Sequence, residues 1–299
     1  MSESTVKNKM NSFKDKKQSF SLPHFIEVEI STYCNRRCSW CPNGIYDRGR
    51  KKYSFDWALW LDLLENLRNA NYSGWLAFHN YNEPLFEENI EKYISSAKKI
   101  TSLAKLALYT NGDLLPQRGI RWVTGLPIDE LRVTRYPRHT EPPTQKNIDD
   151  YLFKVGVNRD MCQEYITRRG LEIHTEISNT KILIIFPEID KFNNRGGLLD
   201  NTTKNDFFRA KPCILPKISS AIDVQGNVKL CCQVYDVTLE GKEYSIGSIG
   251  NKPFVNIWNS SQFEKIRHLF LLANFNGFDK CIKCNYECTY EQWEIIGNE

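Results

Sequence analysis

Cys34-Asn-Arg-Arg-Cys38-Ser-Trp-Cys41 places three thiols on a short polar loop, directly after the strand-like run Phe25-Ile-Glu-Val-Glu-Ile-Ser-Thr32. Three cysteines so closely spaced turn their sulfurs toward one small inorganic body. Three thiolates leave one corner of a four-iron cluster without a protein ligand, and an open corner is where chemistry can occur. A structural zinc site normally closes with four ligands, and no fourth Cys or His accompanies this loop. A disulfide between Cys38 and Cys41 would close a loop too short to restrain the chain, and the number of thiols is odd.

The 299 residues suffice for one large domain and a small one, and 41% apolar content is ordinary for a globular protein. A net charge of +4, with Lys and Arg spread along the chain, does not call for a nucleic-acid partner. The start carries no secretory apolar segment and the chain has no long apolar run, so the expectation is a cytoplasmic protein without a membrane partner. In a reducing compartment ten cysteines point to metal or redox sites. They fall into two groups, which predict two clusters.

Residues 1–22 are polar and Lys-rich without periodicity, the composition of a flexible tail. From 23 to 190 strand-like and helix-like runs alternate. The strand runs are His24 to Thr32, Gly74 to Asn80, Lys105 to Asn111, Glu130 to Tyr136, Leu171 to Ile177 and Lys181 to Phe186. Asp56 to Asn69 lines up Leu59, Leu63, Leu64 and Leu67, and Glu88 to Ile100 lines up Ile90, Ile94, Ala97 and Ile100, as helices do. Alternating strands and helices predict a parallel α/β sheet whose ligands collect at the carboxyl ends of its strands. Those ends carry the Cys loop, His79-Asn80-Tyr81-Asn82-Glu83-Pro84, Thr110-Asn111-Gly112, and Thr134-Arg135-Tyr136.

Cys-x3-Cys-x2-Cys after the first strand, with Trp40 just before the last cysteine, resembles the signature of the radical S-adenosylmethionine superfamily. The resemblance implies a partial (β/α)6 barrel in which Cys34, Cys38 and Cys41 hold a 4Fe-4S cluster. S-adenosyl-L-methionine would chelate the fourth iron, with Trp40 beside it. Tyr81-Asn82-Glu83-Pro84 stands where the family carries Gly-Gly-Glu-Pro, which implies that Asn82 and Glu83 meet the methionine amino group, although both glycines are replaced. By the same resemblance Asn111 meets the ribose and Arg135 the methionine carboxylate, a surface salt bridge being the other reading of Arg135. The adenine motif of the family has no clear match here.

Residues 191–212, with Phe192-Asn-Asn-Arg-Gly-Gly-Leu-Leu199, read as a linker of turn formers, and Arg195 there is either a plain linker arginine or a group reaching the barrel mouth. Beyond it, Ile218 to Val224 and Val228 to Val234 flank Gln225-Gly226-Asn227 as a hairpin, with a helix-like run from Pro253 to Leu272. Cys213, one cysteine of the hairpin, Cys281 and Cys284 then supply four thiols for one enclosed site, which serve iron or zinc equally well. Adjacent strand side chains face opposite ways, so Cys231 and Cys232 do not both point at it. The spacing Cys213-x12-Gly226-x4-Cys231, with Ile249-Gly250-Asn251 and Ile257-Trp258-Asn259-Ser260, resembles the SPASM and twitch extensions of the same superfamily. That likeness implies a small α+β domain over 213–288 with an auxiliary 4Fe-4S cluster on Cys213, Cys231, Cys281 and Cys284, followed by a C-terminal tail over 289–299.

The expected activity is reductive cleavage of S-adenosylmethionine to a 5'-deoxyadenosyl radical that abstracts a hydrogen atom from the substrate. An external one-electron donor such as flavodoxin or ferredoxin is implied as a partner. Oxidation, epimerisation, cross-linking and rearrangement all remain open, and Cys162, Cys232 and Cys288 are the candidate hydrogen donors. His79, Glu83 and Arg135 stand near the site as candidate bases. The commoner use of the extension predicts a ribosomally made peptide substrate, with a possible separate leader-peptide-binding protein; the alternative is an aminocyclitol or sugar-type small molecule. A two-cluster electron carrier is a third class, but it would not need polar residues at four strand ends.

Overall fold

The computed structural model describes residues 22–136, 144–188, 192–199, 207–238, 241–242 and 244–297. The polar tail, apart from Leu22, and part of the expected linker lie outside these residues. A single sheet of ten strands runs through them in the order β10-β9-β8-β1-β2-β3-β4-β7-β6-β5. The strands are β1 (Phe25–Val28), β2 (Trp75–Ala77), β3 (Lys105–Thr110), β4 (Glu130–Thr134), β5 (Gln163–Thr167), β6 (Gly170–Ile177), β7 (Thr180–Pro187), β8 (Ser219–Ile222), β9 (Asn227–Lys229) and β10 (Ser245–Ser248). β10 and β5 form the two edges, so the sheet is an open, partial barrel.

Strands β1 to β4 are parallel, as crossovers through helices require. The helix Trp57–Asn69 begins at Asp56, whose carboxylate accepts from the Leu59 N–H at 2.9 Å, and it buries Trp60, Leu63, Leu64 and Leu67. The helix Ile90–Ile100 packs beside it and buries Ile90, Tyr93, Ile94 and Ala97. Outward-facing Ile26 and Val28 of β1 are fully buried under this layer. The alternate residues Phe25, Glu27 and Glu29 face the inside of the partial barrel.

The expected regular succession of units stops after β4. Leu171–Ile177 and Lys181–Phe186 are two arms of an antiparallel hairpin, β6 and β7, turned by Ser178 and Asn179 at φ 53° and 64°. Two residues make a hairpin turn and are far too few for a parallel crossover. Only β7 joins the parallel set, beside β4. The sixth parallel strand is β8, contributed from beyond the linker and paired with β1 from Phe25↔Ser219 to Val28↔Ile222. The cysteine-rich region therefore continues the sheet of the first domain. The expected helix from Pro253 to Leu272 is two helices, Phe254–Trp258 and Ser261–Leu271, because Ser260 caps the second by accepting from the Phe263 N–H.

Candidate active site

The loop after β1 is folded by tight turns. The Cys38 carbonyl accepts from the Cys41 N–H at 3.1 Å, the Cys41 carbonyl accepts from the Gly44 N–H at 2.8 Å, and Pro42 opens the short helix Pro42–Ile45. A Cβ on Gly44 would collide with the Cys38 carbonyl, so the turn depends on glycine there. Burial raises the thiols of Cys34 to about 12 and Cys38 to about 11, and it raises Cys41 as well. Cys38 feels Cys41, and Cys34 feels both.

Asp113, after β3, anchors this loop. Its carboxylate accepts from Arg36 Nε at 2.6 Å and Nη2 at 2.5 Å, from Asn35 Nδ2 at 2.9 Å, and from Arg135 Nη1 at 3.0 Å. Burial by itself would raise this acid, but the bonds and charges of Arg36 and Arg135 hold it at about 2. Arg36 also donates to the Tyr136 carbonyl at 2.9 Å. On the other side, Asn43 donates to the Tyr81 carbonyl and accepts from the Tyr235 hydroxyl at 2.8 Å, joining loop, β2 end and cysteine-rich region.

The residues expected to hold S-adenosylmethionine take their places in this framework. Glu83 is 2% exposed. It accepts from the Thr110 hydroxyl at 2.6 Å, the Asn111 N–H at 2.7 Å and the Leu85 N–H at 3.1 Å, so its oxygens already tie the ends of β2 and β3 together. Burial raises it to about 7 against those bonds. Asn82 folds back on its own turn, accepting from the Asn80 N–H and donating to the Phe78 carbonyl. Asn111 donates to Asn35 Oδ1 at 2.7 Å, and Arg135 lies over the Tyr151 ring at 4.1 Å while paired to Asp113. Of these four, Asn111 holds the cluster loop directly, through Asn35, and Arg135 holds it through Asp113. Trp40 is half-buried, stacked on Phe192 at 5.7 Å and tilted against Tyr136 at 6.0 Å.

The barrel mouth is lined by Glu27, which the sequence did not single out, and by Arg195 and His79, which it did. Glu27 on β1 accepts from Asn80 Nδ2 at 3.2 Å and lies against the Cys232 thiol. Burial raises its carboxyl to about 7, partly countered by Arg195 and Arg132. Arg195 does reach the mouth. It sits at φ 48°, ahead of Gly196 at 66° and Gly197 at 78°, a run of left-handed residues that glycine tolerates and arginine resists. The turn is pinned by Asn194, which donates to the Lys283 carbonyl at 2.7 Å and exchanges bonds with Asn285. Arg195 Nη1 donates to Gln233 Oε1 at 3.3 Å, and the guanidinium stands over the Tyr81 ring at 5.8 Å. Burial opposes its charge, but Tyr81, Cys41, Tyr136 and Cys232 around it outweigh burial and raise it. His79 stacks on Tyr109 at 4.5 Å with Nδ1 enclosed and unpartnered, and burial with the nearby Arg132 and Arg195 lowers it to about 3.

Cys231 and Cys232 follow β9 in a turn and go separate ways. Cys231 is buried beside Cys213, Cys281 and Cys284, whereas Cys232 faces Glu27 and Arg195. Of the other two candidate hydrogen donors, Cys288 lies against Cys213 in the cysteine-rich region. Cys162 immediately precedes β5 at the far edge, donating to the Asn158 carbonyl at 3.3 Å, and is not brought to the mouth. Among the described residues no three donors converge at the spacing of a single ion. Both thiol sets suit a larger anionic cluster: each is faced by guanidinium groups, Arg36 and Arg195 at the loop and Arg209 at Cys213 and Cys284. Burial disfavours bare thiolates at both sets, and iron relieves that by displacing the protons.

Residues 213–285 match SPASM, the iron-sulfur cluster-binding domain. Joined to an open sheet with a three-thiol loop at its mouth, that domain points to a class that the chain is similar to: the radical S-adenosylmethionine enzymes with an auxiliary cluster. It is an oxidoreductase that uses S-adenosylmethionine and iron-sulfur clusters. Over 273 residues, 91% of this chain and 97% of its relative, it is 26% identical to the S-adenosyl-L-methionine-dependent 2-deoxy-scyllo-inosamine dehydrogenase of Niallia circulans. The crystal structure of BtrN in complex with AdoMet and 2-DOIA shares the fold with a TM-score of 0.70 at 24% identity, covering 91% of this chain and 97% of that one. An open conformation of BtrN gives 0.60 at 23% identity over 91% and 98%. Among the described residues no helix is long and apolar enough to cross a membrane.

Proposed function

We propose that this enzyme oxidises a secondary hydroxyl group of an aminocyclitol or similar small polyol to a ketone. The observation that carries this reading is the meeting of Glu27, Arg195 and Cys232 in the mouth, between the cluster loop and the second thiol set. When bound, S-adenosylmethionine and a cluster on Cys34, Cys38 and Cys41 would supply hydrogen-atom abstraction at the carbinol carbon, and a cluster on the second thiol set would supply a one-electron acceptor. The hydroxyl proton goes to Glu27, whose carboxyl at about 7 is matched to accepting it near neutral pH. Arg195 donates to the substrate oxygen and holds that carbon toward Cys41. Trp40, Phe192 and Tyr136 wall the mouth with aromatic rings. His79, lowered to about 3, is a poor base and serves as a neutral hydrogen-bonding wall. Oxidation returns no hydrogen, so no cysteine need act as a donor.

The relative's small-molecule substrate supports this reading over the peptide expected from the commoner use of the SPASM extension. The test is to incubate anaerobically reconstituted, reduced enzyme with 2-deoxy-scyllo-inosamine deuterated at each carbinol carbon in turn. The expected result is one 5'-deoxyadenosine per ketone, with deuterium in the deoxyadenosine from one position only. Cleavage that stays uncoupled with aminocyclitols and sugars but becomes coupled to a peptide would overturn the proposal.

A further inference from the structure

The inner face of the sheet continues from the mouth toward its far edge. Backbone register sets Tyr109 of β3 beside Arg132 of β4, Arg132 beside Leu183 of β7, Leu183 beside His174 of β6, and His174 beside Gln163 of β5. Residues so paired share one face, and their neighbours along each strand take the other. Those neighbours, Leu131, Val133, Ile173, Ile182 and Ile184, are buried in the core. The row begins at the mouth, because Tyr109 stacks on His79 at 4.5 Å and carries the Arg132 guanidinium over its ring at 4.0 Å. From Tyr109 to His174 it crosses from β3 through β4 and β7 to β6, about 14 Å along the sheet. One six-membered ring held at Glu27 and Arg195 does not cover that length.

The far end of the row is held from beneath. Glu172, its side chain 3% exposed, accepts from the Thr167 hydroxyl at 2.7 Å, from Arg169 Nε at 2.7 Å and from His174 Nε2 at 3.0 Å. Burial would raise this acid, but those three bonds hold it below its ordinary value. An ionised carboxylate only accepts, so Nε2 carries the ring proton and Nδ1 is left as an acceptor. The His174 side chain is 44% exposed, with the Tyr165 ring set edge-on against it at 4.7 Å. A buried carboxylate thus fixes the orientation of an open imidazole. At the near end, Arg132 makes one hydrogen bond among the described residues, from Nη2 to Glu130 Oε1 at 3.1 Å. Donor, apolar side chain and acceptor follow one another as Arg132, Leu183 and His174. A hexose offers the matching groups: oxygens that accept, a face of C–H bonds, and hydroxyls that donate.

We propose that the substrate is a glycosylated aminocyclitol whose neutral hexosyl ring lies along Arg132, Leu183 and His174. The cyclitol occupies the mouth, so this inference rests on the reading of the enzyme as an aminocyclitol dehydrogenase. Arg132 donates to a hexose oxygen, Leu183 meets the C–H face, and His174 Nδ1 accepts from a hexose hydroxyl. Glu172 acts through His174 as a positioning residue.

Binding is measured by equilibrium dialysis on anaerobically reconstituted, unreduced enzyme with S-adenosylmethionine, so that no turnover intervenes. The probes are 2-deoxy-scyllo-inosamine and its glucosides at each hydroxyl in turn. One glucoside should bind about tenfold more tightly than the free cyclitol, the worth of one further net hydrogen bond. In His174→Phe, which keeps a ring against Tyr165, that advantage should disappear. Should this variant fail to fold, Leu183→Ser at the middle of the row carries the same test. If the free cyclitol binds as tightly as every glucoside, or the advantage survives the substitution, this inference is overturned while the aminocyclitol reading stands. Binding of neither probe overturns both.

Discussion

Glu27 and Arg195 set the chemistry of the mouth through opposite responses to burial. The carboxyl gives way to its surroundings and rises to about 7, while the guanidinium keeps its proton. If Glu27 is the proton acceptor, it must be ionised in the active enzyme. Ketone formation should therefore rise with pH through about 7 and level off above it. Glu27→Gln preserves the bulk and an acceptor for Asn80 but cannot take a proton. We expect it to lower the rate of ketone formation by about a hundredfold and to abolish the rising limb of the pH profile. S-adenosylmethionine cleavage without substrate should persist, because Glu27 touches neither the cluster loop nor its anchor. The readouts are ketone by mass spectrometry and 5'-deoxyadenosine by chromatography. An unchanged pH profile in Glu27→Gln would remove this residue from the role.

At the scale of elements, the cluster loop is held by the strand ends around it. Asp113→Asn removes the charge that Arg36 and Arg135 share, at a cost of about 2 kcal/mol, and loosens the loop from both β3 and β4. The expected outcome is lower iron occupancy at the first site with the second site unaffected, read by iron count and electron paramagnetic resonance. Acid should act in the same direction. Asp113 is held at about 2 in the folded chain, below the ordinary value near 4, so its contribution is complete above about 4 and disappears as pH falls toward 2. Iron loss that sets in equally in the native chain and in Asp113→Asn would count against this anchor. None of these contacts was legible in the sequence, because Arg36 and Asp113 are 77 residues apart and nothing local pairs them. The thiols were legible, since their spacing on a loop is itself the signal. Glu27 left a trace in Ile-Glu-Val-Glu-Ile, where acids alternate with buried aliphatic residues and so face the inside of the barrel. The strands β1 to β4 were likewise readable as apolar runs. β5 was not, because its side chains are largely exposed and leave no pattern. The place of β8 was hidden for another reason: parallel pairing with a strand nearly 200 residues earlier has no local signature.

The strands of the described residues form one sheet, and this bears on the reading of residues 213–288 as a separate domain. β8 covers the edge of β1 along its length, and the Val224 N–H donates to Glu29 Oε2 at 3.3 Å. Glu29 also pairs with Arg48 from the segment after the cluster loop, both side chains almost fully buried. Farther out, the Val255 N–H donates to Asn66 Oδ1 at 3.0 Å, fastening the helix Phe254–Trp258 to the helix Trp57–Asn69. A chain ending at residue 212 would expose the β1 edge and leave the Glu29–Arg48 pair open to water. Bare strand edges pair with other chains, so this truncation should aggregate and should hold the first cluster poorly although Cys34, Cys38 and Cys41 are intact. An independent domain would behave differently, because its own core would remain covered. The measurement is light scattering with iron content after anaerobic reconstitution, compared with a full-length chain whose Cys213, Cys231, Cys281, Cys284 and Cys288 are replaced by Ala. That variant lacks the second cluster but keeps β8, so it should scatter light as the native chain does and load the first site. A non-aggregating, cluster-bearing truncation would show that the first domain stands alone and that β8 merely rests on its edge.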